Sequence, residues 1–104
     1  MTAIPEQILI CGYPYSTFMV ENRQVDGSEL CGEIDYYKLT LEIGRNQPAL
    51  HERATLMHEV LHGIANHTGH HDLRANENHI DALAYSLVRL LRDNPTLVDY
   101  LTRD

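Results

Sequence analysis

One hundred and four residues bound the chain to a single domain, taken as 1–104. Apolar residues make up 43% and charged residues 22%, the balance of a soluble globular protein with a modest core. A formal net charge of −7, with Lys38 the only lysine and seven scattered arginines, argues against nucleic acid as a partner. No stretch reaches the length of a membrane span, and no basic region precedes an apolar run at the start, so the expected location is cytoplasmic, without a membrane partner. Cys11 and Cys31 are expected to be buried thiols rather than a disulfide, and no C-x-x-C spacing makes them metal ligands.

Residues 1–47 read as extended structure. Ile8-Leu9-Ile10-Cys11 is a short apolar run, interrupted by Gly12 and Pro14. Residues 15–20 are rich in aromatic and β-branched side chains and form a second strand segment. Residues 21–33 are polar, with a turn at Asp26-Gly27-Ser28. From 34 to 43 the chain alternates, with Tyr37, Leu39, Leu41 and Ile43 on one face and Lys38, Thr40 and Glu42 on the other. Gly44-Arg45-Asn46-Gln47-Pro48 ends this strand.

A helix is predicted over 49–67. Leu50, Ala54, Met57, Leu61 and Ile64 recur at helical steps, and Val60 and Ala65 widen that apolar stripe. Pro48 precedes the helix, and Gly69 can take the left-handed position after its end. Inside it lies His58-Glu59-Val60-Leu61-His62, which reads H-E-x-x-H. Residues four apart share a helix face, so both imidazoles can bind one metal ion. Glu59, beside the first histidine, can reach a water on that metal as general base.

A loop over 68–76 follows, then a second helix over 76–93 with Ile80, Leu83, Ala84, Leu87, Leu90 and Leu91 as its apolar face. Fourteen residues between His62 and Glu77 allow an antiparallel return. Glu77 could then complete a His₂Glu set with one position left for water. His79, two residues on, is the rival ligand but points to a different helix face. Asp81 shares a face with Glu77 and could accept a hydrogen bond from the far nitrogen of a ligating histidine. His67, His70 and His71 form a histidine-rich loop, read as solvated, with a donor or lid above the metal as the alternative. His51 is expected on the surface and Tyr85 in a packing role. A short final helix begins near Asn94 or Thr96, with Leu97, Val98, Tyr100 and Leu101 as its packing residues.

H-E-x-x-H at 58–62 followed by N-E-x-x-x-D at 76–81 resembles the gluzincin metallopeptidases of the thermolysin type. The surrounding layout is similar to the small zincin-like proteins of phages and prophages related to ImmA-type peptidases. These place a short β-rich segment before the metal helix and a helix ending in a D-N-P turn after it, here Asp93-Asn94-Pro95. The resemblance implies one zinc ion on His58, His62 and Glu77, with Asp81 behind a histidine. It also implies a peptide or protein substrate paired along a sheet edge, with 15–20 and 36–43 as candidate edges, and a bacterial host cytoplasm. The tyrosine and histidine that stabilise the transition state in the thermolysin family come from segments without counterpart in this chain.

The expected fold is α+β: a minimal zincin-like arrangement of a small antiparallel sheet, two main helices and a short C-terminal helix. The expected function is zinc-dependent peptide hydrolysis with Glu59 as catalytic base. A non-catalytic zinc-stabilised binding domain, or another zinc hydrolase or latent zymogen, uses the same residues; the occupant of the fourth metal position separates them.

Overall fold

The first apolar run folds into a hairpin. In the structure, a computed structural model that describes residues 3–21, 23–25 and 28–104, β1 (Gln7–Ile10) pairs antiparallel with β2 (Tyr13–Val20). The two-residue turn, Cys11-Gly12, has positive φ at both positions, 51° and 85°. A two-residue hairpin favours that twist. Pro14 lies ahead of Ser16, where β2 begins to pair on its other side, so its missing N–H breaks no bond there. Cys11 and Cys31 are not joined in a disulfide, and Cys11, on this turn, is exposed rather than buried as expected.

The polar stretch that follows is more regular than expected. β3 (Arg23–Val25) and β4 (Ser28–Leu30) pair as a small separate hairpin. The turn expected at Asp26-Gly27-Ser28 falls on residues 26 and 27, outside the described residues.

The single strand expected over 34–43 is instead a hairpin of β5 (Gly32–Asp35) and β6 (Thr40–Gly44). Asp35 explains the break. Its Oδ1 accepts the backbone N–H groups of Tyr37 and Lys38, both at 2.9 Å, and Leu39 takes a φ of 56°. Tyr37 is thereby almost wholly exposed, whereas Leu41 and Ile43 are wholly buried.

The four-stranded sheet has the order β1-β2-β6-β5. Its two hairpins meet with β6 parallel to β2, in register from Ser16↔Thr40 to Val20↔Gly44. The sheet is therefore mixed, not antiparallel throughout. The long connection between β2 and β6 leaves room for the crossover that a parallel pair needs.

α1 (Ala49–His67) closes with Gly69 at φ 78°; the Gly69 N–H donates to Asn66 O and the His70 N–H to Ala65 O, the two bonds of a Schellman motif. The expected loop contains one turn of helix, α2 (His71–Arg74). α3 (Glu77–Asp93) starts at Asn76, whose side chain accepts the His79 N–H at 3.2 Å. Pro95 opens α4 (Pro95–Thr102), where its absent N–H removes no helical bond. No residue of α4 is buried, and Tyr100 and Leu101, expected to pack, are exposed. Among the described residues no helix is long and apolar enough to cross a membrane.

α1 is the middle layer, packed on β1, β5 and β6 on one side and on α3 on the other. Ile10, Tyr15 and Leu41 form the sheet-side core, joined by Ile34, Leu56 and Val60. The buried surface of α1 therefore departs from its apolar stripe: Thr55, Glu59, His62 and Gly63 are buried, whereas Leu50 and Ile64 are exposed. Small Ala54, Ala65 and Ala84 are also buried, as is Ile80.

Candidate metal centre

His58, Glu59 and His62 project from the middle of α1, and Glu77 and Asp81 from the first two turns of α3. The helices run antiparallel, since Glu77 meets His58 and His62 while Tyr85 meets His51. This is the return that fourteen intervening residues allowed.

Asp81 Oδ1 lies 2.7 Å from His58 Nδ1. That contact places a proton on Nδ1 and leaves the lone pair of the neutral ring on Nε2. The Nε2 atom faces Glu77 Oε2 at 2.9 Å and His62 Nε2 at 3.1 Å, while His62 Nε2 is 2.8 Å from Glu77 Oε1. Lone pairs and a carboxylate gathered so closely repel unless protons or a metal cation sit among them. Two ligands at ~2.0–2.1 Å from a tetrahedral ion lie roughly 3.3 Å apart, so the observed spacing needs little adjustment. His58, His62 and Glu77 could hold a metal ion: their ligand atoms lie within 4.8 Å of one another. The two histidines are nearly buried, and Glu77 and Asp81 are exposed on the solvent side.

Glu59 lies under the sheet at 7% exposure. β5 passes close above it at Gly32, where a Cβ would stand 3.2 Å from Glu59 Oε2 and 2.7 Å from Thr55 Cγ2. Burial pushes the Glu59 carboxyl from 4.5 up to about 7; His58 pulls it down, while the charges of Glu77, Glu33 and Asp81 push it further up. A carboxyl near neutrality can both take and return a proton.

A cleft of about 600 Å³ opens over these groups. β5 contributes one wall through Gly32, Glu33 and Ile34; α3 contributes the other through Glu77, Asp81 and Tyr85. His51 and Tyr36 also line it. His51 is half-buried rather than on the surface, and its Nδ1 lies 2.8 Å from Tyr85 Oη. The spacing held a signal for both: His51 is two helical turns before His58, and Tyr85 one turn after Asp81.

The other histidines stand apart. His79 is exposed and outside the metal group. His67 stacks on Tyr13 at 4.2 Å and hydrogen-bonds Tyr15 Oη at 2.6 Å, pinning the end of α1 to β2. His70 Nδ1 lies 2.8 Å from Thr68 Oγ1, and His71 is exposed. None of the three lines the cleft. No protein-family model matches the chain, and comparison with curated proteins and with solved structures found no similar protein.

Proposed function

We propose that the chain is a zinc-dependent peptidase of the gluzincin kind. The observation that carries this reading is the convergence of His58, His62 and Glu77 beside a buried Glu59, at the floor of a cleft bordered by a sheet edge. Two imidazoles and one carboxylate form a donor set that zinc takes in hydrolases, with a fourth position open. When bound, zinc supplies Lewis acidity, polarising a carbonyl and acidifying water. Asp81 holds the His58 ring in its ligating tautomer. Glu59 accepts a proton from the attacking water and returns it to the leaving amine, a role suited to a carboxyl raised toward neutrality. β5, the strand at the end of the sheet order and along the cleft wall, offers its main chain to an extended peptide. This edge, Gly32–Asp35, differs from both expected candidates.

A second reading, a non-catalytic zinc-stabilised binding domain, draws support from the layering. Two ligands sit on α1 and one on α3, so a bound ion would tie those layers together.

Digestion of a mixed peptide library by zinc-loaded protein, read by mass spectrometry, tests the choice. Cleavage that falls at least ~10²-fold in Glu59→Gln supports the peptidase. Equal cleavage by the variant would refute Glu59 as base, and no cleavage by zinc-loaded wild type would favour the binding domain.

A further inference from the structure

A second groove, of about 580 Å³, lies along α1 and α3 beyond Tyr85. It adjoins the metal cleft, since Ala54 and Tyr85 line both. Leu50, Ala54 and Val88 supply apolar surface; Arg89 and Arg92 supply positive charge on a chain whose formal balance is −7. Asp93 holds Arg89 only loosely, at 3.5 Å between exposed side chains, and Arg92 has no ion pair among the described residues. The metal cleft, by contrast, is acidic, with Glu33, Glu59, Glu77 and Asp81.

The orientation of β5 says which part of a substrate would arrive here. Gly32 lies beside Thr55 and Glu59, and Ile34 beside Gly63, so β5 and α1 ascend together. A peptide added antiparallel to β5 would run from the His62 end of α1 toward its His51 end. Residues after the cleaved bond would therefore head for the second groove. Along α3, Asp81 to Val88 spans roughly 10 Å at ~1.5 Å per residue, and an extended peptide covers that in about three residues at ~3.3 Å each.

From this adjacency and charge, and resting on the peptidase reading above, we infer that the second groove is a substrate subsite. It takes a large apolar side chain about three residues beyond the cleaved bond, next to a carboxylate held by Arg89 and Arg92. The carboxylate comes from an acidic side chain or from the end of the peptide.

The test uses the zinc-loaded Glu59→Gln chain of 104 residues, which reads binding without turnover. It is incubated with a random decapeptide library made in free-acid and amidated forms, and the retained peptides are sequenced. Enrichment of apolar residues beside Asp or Glu in both forms supports an acidic side chain; enrichment confined to the free-acid form assigns the carboxylate to the C-terminus. Adding Arg89→Glu and Arg92→Glu, both exposed, should reduce the acidic preference about five-fold and favour Lys or Arg instead. Leu50→Gln, also exposed, should weaken the apolar preference alone. An unchanged profile in these variants, or no enrichment in any form, overturns the subsite. If wild type cleaves while its preferences ignore the groove variants, the subsite fails and the peptidase stands. Groove-dependent binding without any cleavage by wild type leaves the groove and overturns the peptidase.

Discussion

Glu59→Gln removes a charge from the floor of the cleft while keeping the shape of the side chain. In the folded chain the carboxyl titrates at about 7 against an ordinary 4.5. Each pH unit is worth ~1.4 kcal/mol, so ionised Glu59 costs the metal-free fold up to about 3 kcal/mol at pH 8. Because the folded value is raised, the stabilisation is full below the unfolded value of 4.5 and is lost as pH rises through about 7. Glutamine is neutral throughout and does not lose it. The two metal-free proteins should therefore match near pH 4, and the variant should be more stable by on the order of 2–3 kcal/mol at pH 8. For a domain of this size that is a rise in Tm of roughly 10 °C or more. Urea unfolding of chelated protein across this range measures the gap, and zinc should narrow it because a nearby dication favours the carboxylate. A gap that stays constant with pH, or a variant less stable than wild type at pH 8, would refute the claim that burial dominates at Glu59.

Glu77→Ala should weaken zinc binding far more than His79→Ala, since only Glu77 faces both imidazoles; chelator competition compares them, and a larger loss for His79 would overturn the ligand set. Asp81→Asn should keep the fold yet lose zinc affinity on the order of 10- to 100-fold, because the proton on His58 Nδ1 loses its carboxylate; wild-type affinity by the same titration would contradict that role. Gly32→Ala should destabilise by about 1–3 kcal/mol through the clash with Thr55 Cγ2. Thr55→Ser in the same chain should restore most of that loss in thermal melts, and no rescue would place the strain elsewhere.

Which candidate ligands share a face was legible because His58, Glu59 and His62 lie in one helix and Glu77 and Asp81 in another, where spacing decides it. That the two faces meet was allowed, not fixed, by the fourteen residues between His62 and Glu77. α1 matches its expected limits of 49–67, with Pro48 before it and Gly69 after it. What depended on distant partners was not legible. The alternation from 34 to 43 continues straight through a turn, because the parity of Tyr37 and Leu39 does not reveal that Asp35 will capture the next N–H groups. Nor does alternation say whether β6 will run with or against β2. The apolar stripe of α1 foretold only part of its burial, Ala54 and Ala65 among it, because the helix is covered on two sides, and the sheet-facing side carries Thr55, Glu59 and Gly63. The His51–Tyr85 contact joins residues 34 apart and exists only through the packing of α1 on α3.

Gly32 makes the cleft a vice with one fixed jaw. At that residue β5 and α1 are already as close as a strand without a side chain allows, and Ile10 and Ile34 press on Gly63 further along the helix. The distance from the strand to Glu59 thus cannot be shortened, and widening it would open the core around Ile10 and Leu41. α3 is the other jaw. It rests chiefly on α1, and its outward side leaves Leu83 and Leu90 substantially exposed. Changes that alter the width of the cleft, by natural drift or by design, have their room on α3, where a substitution can reshape the opening without moving the buried glutamate.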